Sequence, residues 1–123
     1  YTLKEVSFEA NNWDALPNQN LYSWDNQSKS LEKGNYKYVY VIVDNQVHSF
    51  FAINTNNGYV AQLEVLNSTL SSWNILFSAI QSIQKEVKIN NIDDRLIDKI
   101  KAVEFAGLKN TVNQYEMELS LLP

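Results

Sequence analysis

His48 is the only histidine in the sequence and sits in the run Val47-His48-Ser49-Phe50. A serine beside a histidine is the raw material of a nucleophile–base pair. Neighbouring side chains on a strand point to opposite faces, so these two are expected to stay apart, with His48 a structural residue at the rim of a sheet core. One histidine cannot build a two-histidine metal site. With no cysteine, the chain also lacks a thiolate site, a cysteine nucleophile and any disulfide.

The fourteen carboxylates are scattered along the chain. Two pairs have a spacing that could share a proton or hold a hard cation. Asp94 and Asp98 are four apart on a predicted helix, and Glu116 and Glu118 share one face of a predicted strand. Plainer roles compete: Asp93 or Asp94 as a helix cap, and the strand pair as a solvated face. The three glycines, Gly34, Gly58 and Gly107, cannot spell either phosphate-loop fingerprint. No metal and no cofactor is expected, and the chain reads as a non-enzyme.

The aromatics remain. Trp13, Tyr22 and Trp24 lie in a polar stretch beside Asp14 and Asp25, and Tyr36, Tyr38 and Tyr40 alternate along a strand. Trp and Tyr give recognition surfaces large contact area at low entropic cost, so the candidate partner-binding set is Trp13, Asp14, Tyr22, Trp24, Asp25, Tyr38 and Tyr40. The competing reading folds the stretch back, so that its rings cover an otherwise bare sheet face. These rings are not interleaved with Lys or Arg, which argues against a single-strand nucleic-acid platform. A formal net charge of −4 argues against duplex nucleic acid and favours a basic protein partner.

Three β-branched and aromatic runs, Tyr36 to Val43, Val47 to Asn54 and Tyr59 to Leu66, must position these side chains. They read as an antiparallel meander. Asn57-Gly58 is a strong hairpin signal, because both central residues of a type I′ turn need positive φ. Two-residue turns at Asp44-Asn45 and Asn57-Gly58 set the register. Val39, Val41, His48, Phe50, Ala52, Ala61, Leu63 and Val65 then share a core face. Tyr38, Tyr40, Ile42, Val47, Ser49, Phe51, Ile53, Gln62 and Glu64 fall on the other face.

Thr2 to Ala10 alternates as a half-buried strand, and Leu21 to Trp24 with Leu31 to Lys33 reads as a short hairpin. From Ser68 the apolar period lengthens: Trp73, Phe77, Ile80, Ile83 or Gln84, and Val87 form one helical stripe to about Lys88, capped by Ser68 or Ser71. A second helix carries Leu96, Ile100 and Val103 and stops at Gly107. Thr111 to Leu122 alternates as a returning strand. The expected fold is α+β: a central meander joined by N- and C-terminal strands in a mostly antiparallel sheet, with two helices packed on one face.

Residues 1–123 are the length of one compact domain. No apolar run exceeds Tyr38 to Val43, so no membrane association is expected and the compartment reads as cytoplasmic. Sixteen asparagines fit an AT-rich genome and a bacterial or phage source. Asn-x-Ser/Thr triplets at Asn26 and Asn67 occur at the frequency this composition produces by chance. Three function classes follow. The preferred one is a small acidic inhibitor of a basic partner, of the kind bacterial immunity and phage anti-defence proteins represent, resembled in size, acidity and lack of motifs only. The others are an assembly subunit that oligomerises through an open sheet face, and a small enzyme or nuclease toxin domain.

Overall fold

The computed structural model describes residues 1–23, 26–89, 95–105, 109–112 and 116–120, with side chains through residue 104. Its strands are β1 (Thr2–Val6), β2 (Lys37–Val43), β3 (Gln46–Asn54), β4 (Tyr59–Val65), β5 (Glu86–Ile89), β6 (Lys109–Val112) and β7 (Glu116–Ser120). The α-helices are α1 (Ser28–Leu31), α2 (Leu70–Ile83) and α3 (Ile97–Phe105). The strands form one sheet in the order β1-β2-β3-β4-β5-β7-β6, antiparallel except where β5 joins β4. A parallel neighbour needs a crossover, and α2 supplies it. The architecture is the expected α+β fold, with α2 and α3 over one face of the sheet.

Both meander turns decide which side chains meet the helices. Asp44 and Asn45 both take left-handed φ, at 53° and 62°, so Val43 pairs with Gln46 across the expected two-residue turn. One extra residue, His48, then shifts the pairing: Ile42 faces Val47, but Val41 faces Ser49. At the other turn the expectation fails. Asn54 pairs with Tyr59 across the four-residue loop Thr55–Gly58, in which only Gly58 has positive φ. Asn57 serves through its side chain, whose Oδ1 accepts from the Tyr59 N–H at 2.9 Å.

These shifts invert β3 relative to its neighbours. Val39, Val41, Leu63 and Val65 face the helices as expected, but with Phe51 and Ile53. Phe50, Ala52 and Ala61 lie on the other face with Tyr38. The reason is physical. Ser49 to Ile53 is fully buried because both sheet faces are covered, and a strand buried on both sides has no polar alternation to declare its register.

Gly58 is fixed by close approach. A Cβ built there would lie 2.2 Å from the Glu86 carbonyl oxygen, and the Gly58 carbonyl accepts from the Lys88 N–H at 2.9 Å, where β5 joins β4. Gly58→Ala combines left-handed strain with that clash and should lower stability by about 2 kcal/mol or more in urea melts. A loss within about 0.5 kcal/mol would show that the junction yields freely.

The helix expected to run to Lys88 ends at Ile83, where Gln84 turns extended (φ −141°, ψ 123°). Val87 and Ile89 are then buried in strand alternation, not helical sequence. Its cap is neither Ser68 nor Ser71 but Thr69, whose side chain accepts from the Ser72 N–H at 3.1 Å. In α3, Val103 is buried with Leu96 and Ile100 packed beside it, as the stripe requires; Asp93, Asp94 and Gly107 lie outside the described residues. The C-terminal segment is a hairpin instead of one strand, and its register sets Glu118 between Lys88 and Lys109. Among the described residues, which leave out Trp24, the expected hairpin of Leu21 to Trp24 with Leu31 to Lys33 is not formed. A 3-10 turn, Gln19–Leu21, and the single-turn α1 stand there, because Leu31 buries its side chain against the sheet. Among the described residues no helix is long and apolar enough to cross a membrane.

Candidate functional site

The stretch between β1 and β2 folds back over the sheet face that α2 and α3 leave bare. Phe8, Trp13, Leu16, Leu31 and Tyr36 lie against Tyr38, Phe50, Ala52 and Ala61. The Trp13 ring meets Tyr38 and Phe50 edge-on, with centroids 5.7 Å apart in each case, and its Nε1 donates to the Phe8 carbonyl at 3.2 Å. The Tyr40 hydroxyl accepts from the Asn12 N–H at 3.2 Å and donates to the Asn11 Oδ1. The Tyr38 hydroxyl donates to the Leu31 carbonyl at 3.2 Å, and burial raises its pKa, with Tyr36, Glu32 and Glu9 adding to the effect.

Of the predicted partner-binding residues, Tyr38 is therefore buried, and Trp13, Tyr22 and Tyr40 are partly buried pins of the layer. Asp14 is exposed on its outside, and Trp24 and Asp25 lie outside the described residues.

A second constellation was not anticipated. Among the described residues β4 and β5 pair at Tyr59–Lys88 and Val60–Ile89. Farther along β4, the Tyr22 hydroxyl accepts from the Leu63 N–H at 3.1 Å. The same hydroxyl donates to Glu64 Oε2. From α3, Lys99 reaches this point, its Nζ 2.5 Å from Glu64 Oε2 and 3.0 Å from the Tyr22 oxygen, and 4.7 Å from the centre of the Tyr22 ring. Lys99 and Glu64 are only 3% and 1% exposed.

Asn18 donates to the other Glu64 oxygen at 3.0 Å, and Gln19 to Gln62 at 2.9 Å; Gln62 in turn donates to the Asn26 carbonyl at 2.8 Å. Both Glu64 oxygens are thus satisfied, as a buried charge requires. Burial pushes the Tyr22 hydroxyl well above its ordinary range, and the Glu64 carboxylate adds to the shift. Burial also holds Lys99 below the usual lysine range, against the opposing pull of Glu64.

Lys99 and Glu64 line a cleft of about 270 Å³ with Asn18, Val65, Trp73 and Leu96. An adjoining cleft of about 290 Å³ shares Ser68, Trp73 and Asp98 with it. Sequence did hold a signal for Lys99: it falls three after Leu96 and four before Val103, within the apolar stripe of its helix. Gln62 and Glu64 were placed correctly on the tyrosine face, but their partners lie 35 to 46 residues away and no spacing reveals them.

His48 and Ser49 do meet, contrary to expectation, with Nδ1 2.9 Å from Oγ. The extra residue at His48 breaks the strand alternation that would have separated them. Ser49 is fully buried, so the contact offers no nucleophile to a substrate. Burial lowers the His48 pKa, so the folded state prefers neutral imidazole. With the folded pKa below the unfolded value, stability is full above about pH 6.5 and falls as acid charges the ring. His48→Gln should remove that part of the acid loss in melts between about pH 7 and 5, and an unchanged profile would deny His48 a role in it.

Among the described residues no three His, Cys, Asp or Glu side chains gather as a metal site. No protein-family model matches the chain, and no curated protein is significantly similar to it.

Proposed function

We propose that the chain is a small acidic binding module that captures and inhibits a basic partner protein, as a bacterial immunity protein or a phage anti-defence protein does. The observation that carries the reading is the layer from Ser7 to Tyr36, a long connection with little regular structure that is pinned to the sheet. Tyr22, Tyr38 and Tyr40 tie it to the sheet by hydrogen bonds, and the Trp13 ring packs edge-on against Tyr38 and Phe50. Long connections inside compact domains are uncommon, and binding loops are among the roles that ordered ones serve. Pinning also removes the entropy cost of ordering such a surface on contact.

Net charge −4 supplies steering toward a basic partner, and Glu9, Asp14 and Glu32 are exposed on the layer. The assembly reading needed an open sheet face, and this layer occupies it.

The test is capture from the native host. A basic protein recovered at equal stoichiometry supports the reading, whereas self-association alone overturns it. With a partner in hand, combining Glu9→Gln, Asp14→Asn and Glu32→Gln should slow association several-fold at low salt and little at high salt. Association rates indifferent to both charge and salt would remove the electrostatic part of the proposal.

A further inference from the structure

Lys99 has no task in partner capture through the layer, yet its surroundings are those of a working amine. Glu64 and Tyr22 take two of the three directions around Nζ, at 2.5 and 3.0 Å, and the residue lines the cleft of about 270 Å³. Such a volume suits a small molecule better than a protein segment. We propose that Lys99 traps a small aldehyde as an imine in this cleft, with Glu64 moving the protons.

Within the pair, the ammonium passes one proton to the Glu64 carboxylate. The freed Nζ lone pair then forms a bond to the carbonyl carbon, and the C=O π electrons move to oxygen. Glu64 returns its proton to that oxygen and takes one from nitrogen, giving a carbinolamine. It next protonates the hydroxyl, which leaves as water while nitrogen forms the C=N bond. The product is a cationic imine beside a carboxylate, so the buried charge balance before and after is the same and water is the only by-product. The Tyr22 hydroxyl, bonded to both partners, keeps Glu64 oriented throughout. Burial, which holds the ammonium below the lysine range, raises the fraction of reactive amine.

The inference stands apart from the partner-capture reading and is tested without a partner. The native protein is incubated with glycolaldehyde and sodium cyanoborohydride, which reduces the imine to a stable hydroxyethyl-lysine, and each lysine is followed by peptide mass mapping. Lys99 should be modified about tenfold faster than exposed Lys29 and Lys33, the reverse of their order of exposure. Glu64→Gln, confirmed folded by circular dichroism, should slow the Lys99 adduct and leave Lys29 and Lys33 unchanged. Modification that follows exposure, with Lys99 last, would make the pair purely structural and overturn the proposal. So would an undiminished Lys99 rate in folded Glu64→Gln.

Discussion

Lys99→Met should cost about 3–5 kcal/mol of stability, among the largest losses available to a single substitution in this chain. The reason is not that the Lys99–Glu64 bond is strong. Removing the cation leaves a carboxylate at 1% exposure, pressed against a tyrosine hydroxyl and sealed by Asn18. An uncompensated buried charge costs far more than the net worth of the pair that neutralised it. Adding Glu64→Gln should therefore restore most of the loss, because a glutamine oxygen still accepts from Asn18 or Tyr22 without carrying charge. Urea melts of wild type, both single variants and the double variant give the coupling directly. If the double variant is as unstable as the sum of the singles, the cost lies in lost packing around the lysine stem and the charge account fails.

The Lys99 contact also shows where sequence reading runs out. Periodicity reports which face of an element meets the core only when its two faces differ in side-chain character. It worked for α2, whose Trp73, Phe77 and Ile80 face the sheet, and for β2, whose valines and tyrosines divide as expected. It failed for Phe50 and Phe51, because β3 is covered on both faces and each phenylalanine is buried either way. The turn chemistry at Asp44-Asn45 was readable, since two consecutive left-handed residues leave few alternatives. The extra residue at His48 was not, because nothing in Val-His-Ser-Phe distinguishes a bulged strand from a regular one.

Val87 satisfied a helical step and a strand alternation equally well, so the end of α2 was ambiguous in principle. The polar cluster was hidden for another reason. Tyr22, Glu64 and Lys99 come from the loop layer, a strand and a helix, and only the folded chain brings these three distant positions together. The aromatic loop was legible as unusual, and both of its readings predicted rings over the sheet or toward a partner. Geometry places Trp13 over Phe50 while leaving Asp14 outside.

Phe77→Ala should lower stability by about 3–5 kcal/mol and Ile80→Ala by about 2–5 kcal/mol. Both side chains are almost wholly buried in the core that α2 shares with Val39, Phe51, Leu63 and Val65. Deleting the ring removes its transfer energy and leaves a cavity that a sheet on one side and a helix on the other can only partly close. A double-mutant cycle carries the argument further, because it tests the inverted β3 directly. Trp13 and Phe50 should couple by about 0.5–1.5 kcal/mol, as edge-on rings 5.7 Å apart do. Phe51 should couple to Phe77 through the core they share, and Phe50 to Phe77 by no more than about 0.5 kcal/mol, since the sheet separates them. Coupling of Phe50 to Phe77 together with independence of Phe50 from Trp13 would return β3 to the uninterrupted alternation of its sequence. It would also place the loop layer over a different row of side chains. Both phenylalanines are buried in either arrangement, so the single substitutions cannot decide the register and the cycle can.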